Sequence, residues 1–256
     1  MKEWLYGRNP VYEALRAARR QAFRLTVAQG VQEKGRLAEI LSMASTRKIP
    51  VERAPRSQLD RLHPNNQAVA LEAGEYPYVA LPDLLDLAET RAEPPFLLIL
   101  DTLQDPQNLG TLLRTAEAAG VHGVLLPFRH TATITPAVVN ASSGASEHLL
   151  VAQANLALSI EALKERGVWV VGLEGSPQAQ PPDQVRLDGP LALVVGGEGE
   201  GMRPLVRRSC DVLLKLPMRG RVASLNAAVA GSIALYLAWG ARNDSEKSID
   251  AGLESW

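Results

Sequence analysis

A single cysteine, Cys210, stands in 256 residues, so neither an intrachain disulfide nor a cysteine-based zinc site can be built. The histidines His63, His122, His130 and His148 are scattered without metal-ligand spacing, and each reads as a surface or packed imidazole. No unbroken apolar run approaches the roughly 18 residues that would signal a membrane span. The opening residues Met1-Lys2-Glu3-Trp4-Leu5-Tyr6-Gly7-Arg8 lack the apolar stretch of a secretory leader, which leads to the expectation of a cytoplasmic protein. Two nucleotide-binding signatures are also missing. No strand is followed by Gly-x-Gly-x-x-Gly, and no loop carries Gly-Lys-Ser/Thr. Both absences count against a Rossmann-type oxidoreductase or a kinase.

Apolar residues make up 46% of the chain and charged residues 21%, enough for a real core with an ordinary surface. Net charge is −1, but it is unevenly spread: residues 1–76 hold 13 Lys/Arg against 8 Asp/Glu, and the remainder holds 14 against 20. A modestly basic N-terminal part suits a phosphate-rich partner.

The pattern divides at a turn-rich break. Residues 1–76 read as a small α/β unit, with helices over Val11–Arg20 and Gly35–Arg47, a strand over Phe23–Ala28, and strand-like Val51 and Ala68–Glu72. Residues 77–94 form a linker holding a short helix, Leu81–Thr90. From 95 to 243 the chain alternates strands (Phe96–Leu100, Gly123–Leu126, Val168–Leu173, Leu191–Val195, Val212–Leu216) with helices (Leu109–Ala119, Pro136–Ser143, Leu158–Arg166, Pro204–Ser209, Ser224–Ala241). Gly167 is expected to close the third of these helices. This alternation predicts an α/β domain built on a parallel sheet covered on both faces. Residues 244–256 are polar and expected to be disordered.

Open parallel sheets bind ligands beyond the C-terminal ends of their strands, and three post-strand segments carry candidate chemistry. After Leu100 a polar loop leads into a helix with Asn108 near its cap and Arg114 further along. An arginine on an otherwise apolar helix wants a carboxylate or phosphate partner; a plain cap and a structural ion pair are the simpler alternatives. After Val195 comes Gly196-Gly197-Glu198-Gly199-Glu200-Gly201-Met202, where glycines admit close approach of a ligand to the backbone. Its two acids make it a poor anion cradle and suit a neutral or cationic ligand. After Leu216 come Pro217, Met218, Arg219 and Arg221, then Ser224, a candidate cap for the last helix. That helix is apolar nearly all round, so burial on more than one side, as at a subunit interface, is expected.

Together the segments Asn108-x-Gly110-x-x-x-Arg114-Thr115-Ala116, Gly196–Met202, and Leu216-Pro217-Met218 with Ser224-Leu225-Asn226 resemble the three signature motifs of the SpoU (TrmH) branch of the SPOUT methyltransferases. Ser142–His148 resembles the segment ahead of that family's middle strand. Gly7-Arg8-Asn9-Pro10-Val11-Tyr12-Glu13-Ala14-Leu15 resembles the family's RNA-binding extension. The layout is most similar to the 23S ribosomal RNA guanosine-2′-O-methyltransferase subgroup. One departure is Asn66-Gln67-Ala68-Val69, where many members have His-Gln-Gly-Val.

The resemblance implies a knotted parallel-sheet domain behind a small L30e-like RNA-binding domain. It also implies a homodimer and S-adenosylmethionine-dependent methylation of a ribose 2′-hydroxyl in structured RNA, with no metal. It assigns catalysis to Arg114, Asn108, Glu198, Ser224 and Asn226, and cofactor binding to Gly196, Gly197, Leu216, Leu225, Leu173 and Met218. RNA contact falls to Arg8, Arg129, Arg219 and Arg221. Transfer RNA as substrate, and a non-catalytic RNA-binding module, are the alternatives.

Overall fold

The computed structural model describes residues 2–253, with side chains described through residue 243. In chain order the first elements are β1 (Lys2–Tyr6), α1 (Arg8–Ala17), β2 (Ala22–Ala28), α2 (Arg36–Thr46), β3 (Val51–Ala54), α3 (Arg56–Leu62) and β4 (Val69–Gly74). Next come α4 (Leu81–Thr90), β5 (Phe96–Asp101), α5 (Pro106–Ala118), β6 (Gly123–Pro127), α6 (Pro136–Ala141), β7 (Leu150–Ala154) and α7 (Leu156–Glu165). The last are β8 (Trp169–Leu173), β9 (Leu191–Gly196), α8 (Pro204–Ser209), β10 (Val212–Leu214) and α9 (Ala227–Leu253). The chain forms two compact units.

The first unit holds the chain up to Pro77 together with Leu109–Arg114 and Thr133–His148. Its four-stranded sheet runs β1-β4-β2-β3, antiparallel except for the β2–β3 pair. β1 and α3 were not foreseen. β1 is a short edge strand bonded only to β4, and α3 is polar, with Leu59 its one buried residue; neither carries enough apolar periodicity to stand out. α1 starts at Arg8, earlier than expected, with Pro10 in its first turn, where no N–H is missed. It ends at Ala17 because Ala18 turns left-handed at φ 56. Arg20 therefore leaves the helix and is almost fully buried. Its Nε and Nη2 donate to the two Glu147 carboxylate oxygens at 2.8 and 2.9 Å, and Nη1 donates to Glu3 at 2.7 Å. Gly110 sets how near α5 comes to α6, since a Cβ there would lie 2.4 Å from that of Ala141.

The segment Asn66-Gln67-Ala68 turns into β4 with Gln67 and Ala68 both left-handed, at φ 52 and φ 67. The Ala68 conformation is one that glycine adopts freely and an alanine adopts at a cost of about 1–2 kcal/mol. Asn66 holds it in place: its Oδ1 accepts from the Ala68 N–H at 2.7 Å, and its Nδ2 donates to Asp60 and to the His63 carbonyl, both at 2.8 Å.

The second unit holds Tyr78–Asn108, Thr115–Ala132 and the chain from Leu149 onward. Its six-stranded sheet, ordered β10-β8-β9-β5-β6-β7, is parallel throughout. Every residue of β5 and of β9 is buried, as continuous apolar runs in the middle of a two-faced parallel sheet must be. Leu97, Ile99, Val194 and Val170 pack into one core with Leu84 of α4 and with Leu156, Ile160 and Leu163 of α7. Each such side chain contributes about 1.5–3 kcal/mol on leaving water. Gly167 takes φ 77 just past α7, as expected. β7, which comes after the Ser142–His148 segment, is an edge strand of this sheet.

Two helix starts differ from expectation. α5 is capped by Asp105, whose Oδ1 accepts from the Gln107 N–H at 3.0 Å, and not by Asn108. α9 is capped by Asn226, whose Oδ1 accepts from the Ala228 and Val229 N–H groups at 2.9 and 3.2 Å, and not by Ser224. In both cases a different side chain accepts from the first-turn N–H groups. α9 buries Ala228, Ala234, Leu235 and Ala238, whereas Val229, Ile233, Tyr236, Leu237 and Trp239 remain exposed. The polar tail expected over 244–256 falls on residues whose side chains lie outside those described, and its last three residues lie outside the description altogether.

Candidate active site

A cavity of about 610 Å³ opens beyond the C-terminal ends of β8, β9 and β10. The crevice beyond the strand ends is where a parallel sheet leaves backbone groups free to meet a ligand. Leu173 ends β8, Gly196 ends β9, and the segment between β10 and α9 supplies Leu216, Met218, Ser224, Leu225 and Asn226. Gly197 and Glu198 complete the expected residues on its wall. Gly199 and Gly201 of the glycine segment line it too, and so do Glu174 and Gly175, which were not singled out. The residue immediately after each strand is a natural candidate on the same physical grounds, and Glu174, directly after Leu173, was legible by that signal.

The glycine loop is tight for a definable reason. A Cβ on Gly196 would lie 2.3 Å from the Gly201 carbonyl carbon, and one on Gly197 would lie 2.5 Å from the Thr102 carbonyl oxygen. Asp101, fully buried at the end of β5, secures the chain just after the loop: its carboxylate accepts from the Arg203 backbone N–H and from Arg203 Nε, both at 2.7 Å.

The cavity lining contains two carboxylates, Glu174 and Glu198, and no lysine or arginine. Hydrogen bonds from Arg207, at 2.7 and 2.9 Å, hold the Glu174 carboxyl below its ordinary value, so it is an anion at neutral pH. An anionic ligand would be repelled; a neutral nucleoside bearing a sulfonium cation fits. The single thiol takes no part, because burial and the neighbouring Asp211 push Cys210 up to about 12. Among the described residues no group of His, Cys, Asp or Glu is arranged to hold a metal ion. No described helix is long and apolar enough to cross a membrane.

At the cavity edge three predicted residues form one cluster. Asn226 Nδ2 donates to Asn108 Oδ1 at 3.1 Å and to Glu198 Oε1 at 3.0 Å, and Asn108 Nδ2 donates to the same Glu198 oxygen. Because Asp105 has taken the capping role, the Asn108 amide is free for this. Both amides converge on one oxygen of Glu198 and so orient the carboxylate. Ser224 lines the cavity without capping α9. Arg114, in the first unit, is exposed and donates from Nη1 to the Ser143 hydroxyl at 3.2 Å; it has no ion-pair partner among the described residues. The structural ion pair that would have explained it away is absent there.

Arg8 belongs to the first unit, where its backbone N–H donates to Gln67 Oε1 at 2.8 Å. Arg129, Arg219 and Arg221 are exposed on loops of the second unit.

Residues 95–236 match the SpoU rRNA Methylase family, and residues 4–79 match the RNA 2′-O ribose methyltransferase substrate binding family. The chain belongs to the SpoU rRNA Methylase family. Relatives of this SpoU family member include the TrmH family tRNA/rRNA methyltransferase YacO of Bacillus subtilis, 42% identical over 94% of this chain and 96% of that one. The 23S rRNA (guanosine-2′-O-)-methyltransferase RlmB of Pseudomonas putida is 39% identical over 91% of this chain and 94% of that one. Among solved structures, the AdoMet-bound rRNA methyltransferase of Sinorhizobium meliloti superposes with a TM-score of 0.74 at 25% identity, over 93% of this chain and 86% of that one. The SpoU family member described here is thus an RNA methyltransferase that uses S-adenosylmethionine. The cation-free, acid-lined cavity fits that cofactor.

Proposed function

We propose that this protein methylates the ribose 2′-hydroxyl of a guanosine in 23S ribosomal RNA, acting as a homodimer with a trefoil-knotted methyltransferase domain. The observation that carries this reading is the Asn108–Glu198–Asn226 cluster at the edge of an acid-lined cavity. The match of residues 4–79 to a 2′-O ribose substrate-binding family and the likeness to a guanosine-2′-O-methyltransferase support the choice of atom and base. A ribosomal RNA substrate makes the protein cytoplasmic.

When bound, S-adenosylmethionine supplies an electrophilic sulfonium methyl. Backbone groups of Gly196, Gly197, Leu216 and Leu225 hold its adenosine part, with Leu173 and Met218 as apolar walls. Glu198 and Glu174 favour the sulfonium charge. A guanidinium hardly gives up its proton, so Arg114 stabilises the alkoxide that develops on the ribose oxygen. Glu198, one oxygen of which is engaged by the two amides, takes the proton on the other. Asn108 and Asn226 keep that carboxylate oriented, and Ser224 orients the substrate. Alignment for in-line displacement supplies much of the rate. Arg8, Arg129, Arg219 and Arg221 contact the RNA backbone.

The exposed residues Val229, Ile233, Tyr236 and Leu237 of α9 recur at helical spacing, and such a stripe fits burial against a second copy of the chain. Ile233→Glu is expected to leave a monomer by sedimentation.

The reaction is tested with tritiated S-adenosylmethionine and naked 23S ribosomal RNA, with bulk transfer RNA in parallel, followed by alkaline hydrolysis. The expected result is label in an alkali-resistant dinucleotide from ribosomal RNA alone. Label in transfer RNA alone would reassign the substrate, and alkali-labile label would move the methyl group off the ribose.

A further inference from the structure

A second cavity, of about 440 Å³, lies in the same unit beyond the ends of β6 and β7. One wall is the loop Phe128-Arg129-His130 that comes after β6. The others come from Asn155, which caps α7, and from Arg203 and Leu205 at the start of α8. No carboxylate lines it. Its charged lining residues are the arginines Arg129 and Arg203.

Phe128 is 67% exposed and Leu205 57%. A phenylalanine exposed beside an exposed leucine offers a flat apolar face to a partner. The three positive or titratable groups around the ring, Arg129, His130 and Arg203, indicate what that is. Arg129 has no ion-pair partner among the described residues. Arg203 is anchored through Nε to Asp101 while its side chain remains 45% exposed, so its guanidinium is held at the rim. An aromatic face bordered by arginines is the arrangement that stacks an unpaired base and grips its phosphate.

The position agrees. His130 and Arg203 also line a neighbouring crevice, of about 810 Å³, which includes Glu198 of the amide–carboxylate cluster together with Asp105 and Glu200. The Phe128 cavity and the crevice that holds Glu198 therefore share His130 and Arg203 as a common border, and the phosphate is gripped on the Phe128 side, away from those carboxylates.

We propose that the cavity beside Phe128 is a nucleotide subsite for single-stranded RNA adjoining the methylated position, with Phe128 stacking on the base and Arg129 and Arg203 holding the phosphate. This rests on the RNA methyltransferase reading above. An RNA that reaches from the reacting ribose to the subsite is unpaired between them.

The test uses the full-length protein and a short fluorescein-labelled single-stranded RNA of mixed sequence, with a duplex of the same sequence as the comparison. Phe128→Ala is expected to weaken single-strand binding about tenfold, the loss of one base stack, with unchanged S-adenosylmethionine binding and thermal stability. Phe128→Trp should restore binding and Phe128→Leu should not, a distinction that an apolar packing role would not make. Arg129→Ala should lower the salt dependence of binding by about one ion. Equal binding by Phe128→Ala and wild type, rescue by Phe128→Leu, or preference of the wild type for the duplex would each overturn the subsite. The methyl-transfer assay reads the underlying reaction separately: RNA binding lost in Phe128→Ala while the wild type transfers no methyl would sustain the subsite and sink the catalytic reading.

Discussion

In the first unit, charged side chains are largely committed to one another, whereas in the second the decisive ones face cavities. Arg20 is buried between Glu147 and Glu3, Arg24 meets Glu52, and His148 meets Glu13. In the second unit, Glu174 and Glu198 line a cavity without a basic residue, and Arg129 lines another without an acidic one. The difference teaches where each unit draws its specificity. A small mixed sheet with a modest core gains definition from internal ion pairs. A parallel sheet with fully buried central strands is already defined by its core, and its ion pairs, such as Arg203 with Asp101 and Arg207 with Glu174, position groups at the strand ends.

The comparison would break first at Arg114. It belongs to the first unit but makes no ion pair among the described residues, so it behaves as the second unit's residues do. Arg114→Ala is expected to lower methyl transfer by at least about 10²–10³-fold, as loss of a preorganised charge-stabilising donor does. Cofactor affinity, read by isothermal titration, should stay within about twofold. Near-normal turnover would return Arg114 to a structural role.

Glu147→Ala is the next largest. Burial pushes the Glu147 carboxyl up, against the pull of Arg20; the carboxylates in turn hold the Arg20 guanidinium above its ordinary value in spite of its own burial. The guanidinium keeps its proton, so Arg20 is a buried cation that needs an acceptor beside it. Removing the Glu147 carboxylate leaves the buried cation with Glu3 alone, at a cost of about 3 kcal/mol in urea unfolding. A loss below about 1 kcal/mol would show that Glu3 or water compensates Arg20 and that the Glu147 pair does not define the first unit.

The smallest effect concerns His122. Its Nδ1 accepts from the Phe96 N–H at 3.0 Å, and its Nε2 meets Glu93 at 2.9 Å. Burial pushes the imidazole below its ordinary 6.5, outweighing Glu93. As pH falls through that ordinary value the unfolded chain takes up a proton before the folded one does, so stability declines below about 6.5 and not above it. His122→Asn, which keeps an acceptor for Phe96 and cannot titrate, should flatten that part of a melting-temperature profile. Superimposable profiles for the two proteins would show that His122 titrates normally.

Much of the second unit was legible in advance. The runs Phe96–Leu100 and Leu191–Val195 are apolar at every position, and only a strand buried on both faces tolerates that. Helices α4 and α8 were read at their observed ends. The glycine loop and the segment before α9 were also legible, because both come after strands and both break the alternation. The first unit was less so. β1 and α3 have weak periodicity, and the end of α1 depends on Ala18 turning left-handed, which nothing in its residue type dictates. Capping was misread twice for one reason: Asp105 and Asn108, like Ser224 and Asn226, are all competent caps, and only backbone geometry selects between them.

By itself, the sequence determined the α/β class, the parallel sheet and the glycine loop at a strand end, which rest on local periodicity and on glycine's few alternative uses; the grouping of Asn108, Glu198 and Asn226 came from the resemblance of their segments to the family's motifs. The tertiary structure alone decided that Asn108 is released from capping to orient Glu198, that Glu174 is held ionised by Arg207, and that Phe128 stands exposed among cations. The first two depend on groups far apart in the chain meeting in space, and the third on Arg203 coming up beside Phe128 and its neighbour Arg129; short-range pattern carries no information about such meetings.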